Sequence, residues 1–227
     1  KFQSHLKTFH IASDRINVLS FGDTPVNEML MKCRMLPGIW SRMIEEAPGT
    51  RIDIISLESA GVEPGNYLRG LGVSYDVMEG LYMSELYRDR CLFLELARVN
   101  LCVAMPRTME ASSAKVVDAE MLRDLDLVMM QSGVSEDYDA AHQYLVALGA
   151  NRITEVPFYT MELFVDCEVN KRAIVTIDIW EDVHPSLACI PLAEPYGMPY
   201  GLIFSKHPSA QAMKLHEAAK RMVSQGA

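Results

Sequence analysis

Three short polar turns hold the residues best suited to chemistry in this sequence: Gly22-Asp23-Thr24, Glu58-Ser59-Ala60 and Gln131-Ser132-Gly133. Each follows an apolar run of strand length, and helices begin close behind them. Helix starts present N–H groups to a ligand, and in open α/β sheets ligands bind beyond the carboxyl ends of parallel strands. Asp23 and Glu58 weigh against an anion at the first two turns and suit a cationic or donor-rich group. Capping is the competing role for Thr24 and Ser59, because a cap and a ligand use the same N-terminal position.

Catalytic patterns are missing. The sequence contains no GxSxG, GxxxxGKS/T, HExxH or complete GxGxxG, and Gly70-Leu71-Gly72 alone carries no phosphate site. The six histidines are isolated, and His184, between Asp182 and Pro185, reads as a solvated loop residue rather than a metal ligand. Asp178, Glu181 and Asp182 read as a hydrated rim, with Asp178 leaving a strand end where it could face a cleft. Five scattered cysteines (Cys33, Cys91, Cys102, Cys167, Cys189) form no CxxC and read as buried reduced thiols of a cytoplasmic protein. The expectation is therefore a non-enzyme without catalytic residues, metal or cofactor.

The 227 residues are 49% hydrophobic and 22% charged, enough for a large core and too apolar for intrinsic disorder. A formal net charge of −9 makes the chain a poor partner for nucleic acid by itself. No uncharged apolar stretch is long enough for a membrane helix. The start, Lys1-Phe2-Gln3-Ser4-His5, has no signal-like apolar core and reads as part of a longer protein.

The elements that would position the turns alternate. Strands are predicted at Arg15–Phe21, Arg51–Leu57, Tyr75–Met78, Cys91–Leu96, Val99–Met105, Leu127–Met130, Arg152–Val156, Ala173–Ile179, Ala188–Leu192 and Tyr200–Ser205. Helical spacing joins Met29, Cys33, Leu36, Trp40 and Met43, with Pro37-Gly38 as an interruption and Pro48-Gly49 as the end. Further helices are predicted near Pro64–Gly70, from Asp118, from a Ser135 cap with Tyr138, Ala141, Leu145 and Leu148 inward, over Thr160–Val169, and from Ser209. Two β-α-β-α units separated by a pair of strands predict two hinged α/β lobes.

In order, these segments resemble the effector-binding (regulatory) domain of LysR-type transcriptional regulators over residues 15 to 226. Arg15–Gly22 is similar to the family's opening strand. Met35-Leu36-Pro37, Glu46-Ala47-Pro48 and Arg51–Ile55 are similar to its next stretch, and Leu68-Arg69-Gly70 through Tyr75-Asp76-Val77-Met78 to its "L..G.lDlai" element. Leu92–Pro106 resembles the lobe-crossing segment, Val117–Leu122 the "v.l.DL" turn, and Ser205–Val223 the closing segment. Lys171–Asp178 departs from "GlGiallP", lacking both glycines and the proline.

The resemblance implies a two-lobed, type II periplasmic-binding-protein-like fold with two crossover strands. Residues 1–14 would end a linker helix, 15–97 with 194–227 would form lobe I, and 98–193 lobe II. A small-molecule effector would bind between the lobes, at Asp23, Thr24, Ser59, Gln131, Ser132, Gly133 and Thr176. It further implies a homodimer or tetramer, with helices Met29–Met43 and Ser135–Leu148 as the faces and Trp40 and Met43 partly exposed, and DNA contact only through a preceding winged helix. A transporter's solute-binding protein, which shares the fold, is the alternative.

Overall fold

The computed structural model describes residues 15–20, 36–56, 67–82, 89–133, 136–157, 159, 161–180 and 184–225. The strands are β1 (Arg15–Ser20), β2 (Arg51–Ser56), β3 (Val77–Leu81), β4 (Cys91–Pro106), β5 (Leu127–Met130), β6 (Ile153–Val156), β7 (Ala173–Ile177), β8 (Leu187–Pro191) and β9 (Gly197–Ser205). Helices are α1 (Leu36–Glu46), α2 (Tyr67–Gly70), α3 (Ala119–Asp124), α4 (Glu136–Leu148), α5 (Met161–Asn170) and α6 (Ala210–Gln225). The strand order is β2-β1-β3-β9-β4-β7-β5-β6, with β8 also pairing β4.

β4 divides this order into two halves. Its residues up to Asn100 pair with β9, while Leu101 to Pro106 pair with β7 and β8. Arg98, Val99 and Asn100 lie opposite Pro199, Met198 and Gly197, so two antiparallel segments pass side by side from one half to the other. This is the expected pair of crossovers.

Strands buried on both faces read as near-continuous apolar runs, and β9 and β7 do so because both their sides are covered. Leu202 and Phe204 of β9 join Ile16, Val18, Val77 and Met43 beneath α1 and α6, whereas Ile203 faces Leu71, Tyr75 and Met78 on the other side. In the second half, Leu127, Met129, Val175 and Val103 pack with Tyr138, Ala141 and Leu145 of α4. Phe164 and Cys167 of α5 cover Val128 and Ile174 on the opposite face. Burying several such side chains, at about 2 kcal/mol each, supplies the main driving force for both halves.

Several expectations are corrected. The runs at Cys91–Leu96 and Val99–Met105 are one strand, and a register shift between Glu95 and Ala97 breaks its alternation so that it reads as two. Pro37 and Gly38 lie within α1, and the earlier part of the predicted helix, with Met29 and Cys33, lies outside the described residues. Tyr75 precedes β3 and closes a turn, with Gly72 N–H donating to its carbonyl at 2.6 Å. Met43 is fully buried, against the expected partial exposure, whereas Trp40 is half-buried as expected.

Cys102 and Cys189 are joined in a disulfide, their Cα atoms 6.2 Å apart. The register Ala104↔Cys189 puts Cys189 on the face that Cys102 shares with Ala104, a pairing invisible from sequence spacing. The cysteines therefore give no support to a reducing compartment. Cys167 is a buried free thiol as expected, and Cys91 is half-buried. Among the described residues, no helix is long and apolar enough to cross a membrane.

Candidate functional site

Strand direction brings the two halves' functional ends together. β1, β2 and β3 run parallel, and so do β5, β6 and β7. The carboxyl end of β3 reaches the crossover at Leu81↔Tyr200, and that of β7 reaches it from the other side at Ile177↔Leu101. All six carboxyl ends thus point toward the crossover, the position where open α/β sheets take ligands.

In the second half this end is built by the turn after β5. Gln131 N–H donates to Val156 O at 2.8 Å, holding the turn beside β6. The Ser132 hydroxyl donates to Glu155 Oε1 at 2.5 Å, and Gly133 N–H donates to Asp139 Oδ1 at 2.8 Å. Gly133 has φ of +84°, which an L side chain would resist. The Ser132 hydrogen bond, aided by His142 at 3.5 Å, keeps the Glu155 carboxyl below its ordinary value. The chain's own carboxylates thus take two of the donors that an anionic ligand would need.

Behind the turn, the Tyr138 and Tyr159 hydroxyls lie 3.3 Å apart, and Tyr159 donates to Val175 O at 2.6 Å. Burial pushes both hydroxyls up, so they stay neutral. Thr176 sits on β7 opposite Cys102 and is only 8% exposed. Gln131, Ser132 and Gly133 are exposed and lie together. Asp23, Thr24 and Ser59 lie outside the described residues.

The crossover contributes groups that sequence reasoning missed. Asn100 Nδ2 donates to Asp178 Oδ2 at 3.0 Å, tying β4 to the exit of β7, while Asp178 Oδ1 is buried without a hydrogen-bond partner. Arg98 donates to Gly197 O at 2.7 Å, and Tyr144 donates to Glu194 O at 2.8 Å while its ring packs on Tyr196. Asp178 was legible as a strand-exit carboxylate, but Asn100 becomes its partner only through the β4–β7 register. His184 is a local loop contact, its Nδ1 accepting from Ser186 N–H at 3.3 Å. Among the described residues, no group of three or more His, Cys, Asp or Glu could hold a metal ion.

No family model matches the sequence, and no curated protein does either. Solved structures match closely in shape. CbnR, a LysR family transcriptional regulator, aligns at 16% identity and TM-score 0.68 over 92% of this chain and 70% of its own. The BenM effector-binding domain with its effector benzoate aligns at 15% identity and TM-score 0.62, over 93% of each chain. The fold is that of LysR-type effector-binding domains. The effector-binding domain of QuiR in complex with shikimate matches it too, at 13% identity and TM-score 0.65, over 93% of this chain and 97% of QuiR's. This effector-domain fold has two lobes.

Proposed function

We propose that the chain is the ligand-sensing domain of a LysR-type, DNA-binding transcription regulator. A small-molecule effector binds between the lobes, and no catalysis is involved. The observation that carries this reading is the match, along nearly the whole chain, to domains whose structures contain effectors. The convergence of six strand ends on the crossover supports the cleft as its place.

The lobes in this reading are residues 15–97 with 194–227 and residues 98–193. The partner switch of β4 near Asn100 supports that division. Effector contacts come from Asp23, Thr24, Ser59, Gln131, Ser132, Gly133 and Thr176. The domain works in the cytoplasm as part of a dimer or tetramer and reaches DNA through a winged helix on the same polypeptide. An effector shifts the lobe equilibrium only by its differential affinity for the two arrangements, typically 1–3 kcal/mol of coupling.

A thermal-shift screen with small organic acids, amines and amino acids tests the site. A true effector at 100 times its dissociation constant stabilises the fold by about 2.7 kcal/mol. Ser132→Ala is expected to weaken that binding severalfold without lowering the melting point of the free protein by more than about 1 kcal/mol equivalent. A ligand whose affinity is untouched by Ser132→Ala and Thr176→Val would remove these residues from the site. A full-length gene product lacking a helix-turn-helix region would end the regulator reading.

A further inference from the structure

Glu79 is a charged-type side chain placed where charge is costly. It is 7% exposed on β3, and no other Asp, Glu, Lys or Arg among the described residues is as deeply buried. Its Oε2 accepts from Trp40 Nε1 of α1 at 3.3 Å, and the Tyr200 hydroxyl of β9 also bonds the carboxyl. Oε1 is buried with no partner. Tyr200 pairs with both Leu81 and Ala97, so it belongs to the crossover itself. One carboxyl therefore links a lobe helix to the strand that passes between the halves.

Among the described residues the groups set against Glu79 are neutral, and the titratable side chain that α6 brings to this face is His216, its ring edge-on to Phe204 at 5.1 Å. α1 offers the Trp40 indole, while its Arg42, Glu45 and Glu46 are exposed. β9 offers the Tyr200 phenol and, directly opposite Glu79, Leu202. Among the described residues no charged side chain pairs with Glu79. Two neutral donors satisfy part of an anion, and the orphan oxygen leaves the rest unpaid.

We propose that Glu79 is a proton-operated latch: protonated, it holds α1, β3 and the crossover strand packed together, and ionised, it loosens Trp40 and Tyr200. Protonation removes the buried charge, whereas ionisation is relieved by admitting water between α1 and the sheet. Burial lifts this carboxyl to about 7, against the lowering effect of the Tyr200 and Trp40 hydrogen bonds, so the latch operates near neutral pH.

The chain has two tryptophans, so Trp180→Phe leaves Trp40 as the sole indole reporter. Its emission is expected to move to the red as pH rises, with a midpoint near 7. Glu79→Gln in the same background should be flat, and Tyr200→Phe should move the midpoint upward by removing a bond that favours the anion. Flat emission between roughly pH 5 and pH 9, where an ordinary glutamate has already titrated, would overturn the latch. So would a transition that survives Glu79→Gln, since it would belong to a histidine. If Glu79→Gln fails to fold, an unmoved midpoint in Tyr200→Phe refutes the proposal instead.

Discussion

Ser132 and Glu79 illustrate how differently single residues can be read. Ser132 was legible by type and place, as a hydroxyl in a polar turn after a strand. Its partner Glu155 was not, because the Ser132–Glu155 bond depends on β6 lying beside β5. Glu79, inside an ordinary strand, gave no sequence signal at all. Its pKa rises from 4.5 to about 7 on folding, so the folded chain holds the proton more tightly. The stability gained from that proton is full below the unfolded value and is lost as pH rises through the folded one. The two-and-a-half-unit gap corresponds to at most about 3 kcal/mol. Urea denaturation is therefore expected to show Glu79→Gln gaining on the parent by about 2–3 kcal/mol between acidic pH and about pH 8. An equal difference at both ends would dissociate this titration from stability.

Two backbone positions decide how the strands and helices close. Gly201 of β9 lies across from the bulge in β4, and a Cβ there would run into the Leu94 carbonyl oxygen. A backbone atom cannot rotate away, so Gly201→Ala is expected to cost on the order of 3 kcal/mol. Chemical denaturation measures it, and a loss under about 1 kcal/mol would mean that the bulge relaxes freely. Lys171, just after α5, adopts φ of 55°, a left-handed conformation that favours glycine. This is the start of the stretch that departs from "GlGiallP", and here a lysine holds the left-handed turn. Lys171→Gly is expected to raise stability by up to about 1 kcal/mol in the same measurement. The alternation of apolar runs identified most of these elements. The bulge misled it, since one extra residue turns the hydrophobic pattern over midway along β4.

At the scale of the molecule, the Cys102–Cys189 disulfide closes an 87-residue separation within the second half. Cross-linking a loop of that size restricts the unfolded chain, so reduction is expected to lower stability by about 2–4 kcal/mol. Comparing melting with and without a reductant, alongside the Cys102→Ser/Cys189→Ser double variant, measures this. A reductant effect that persists in the double variant would belong to something else. The cleft reading belongs to this scale as well. It depends on six strand ends meeting at one crossover, a property of no single lobe.

Sequence alone determined the alternation of strands and helices, the helix starts near Asp118 and Ser209, and the inward stripe of α4. These follow from local periodicity and backbone hydrogen-bonding needs, which nearby residues encode. Only the tertiary structure decided which carboxylates meet which donors, that two cysteines far apart in sequence share a face, and that Glu79 is buried between Trp40 and Tyr200. Those facts are set by the pairing register of strands distant in the chain, and a register carries no mark in either strand taken by itself.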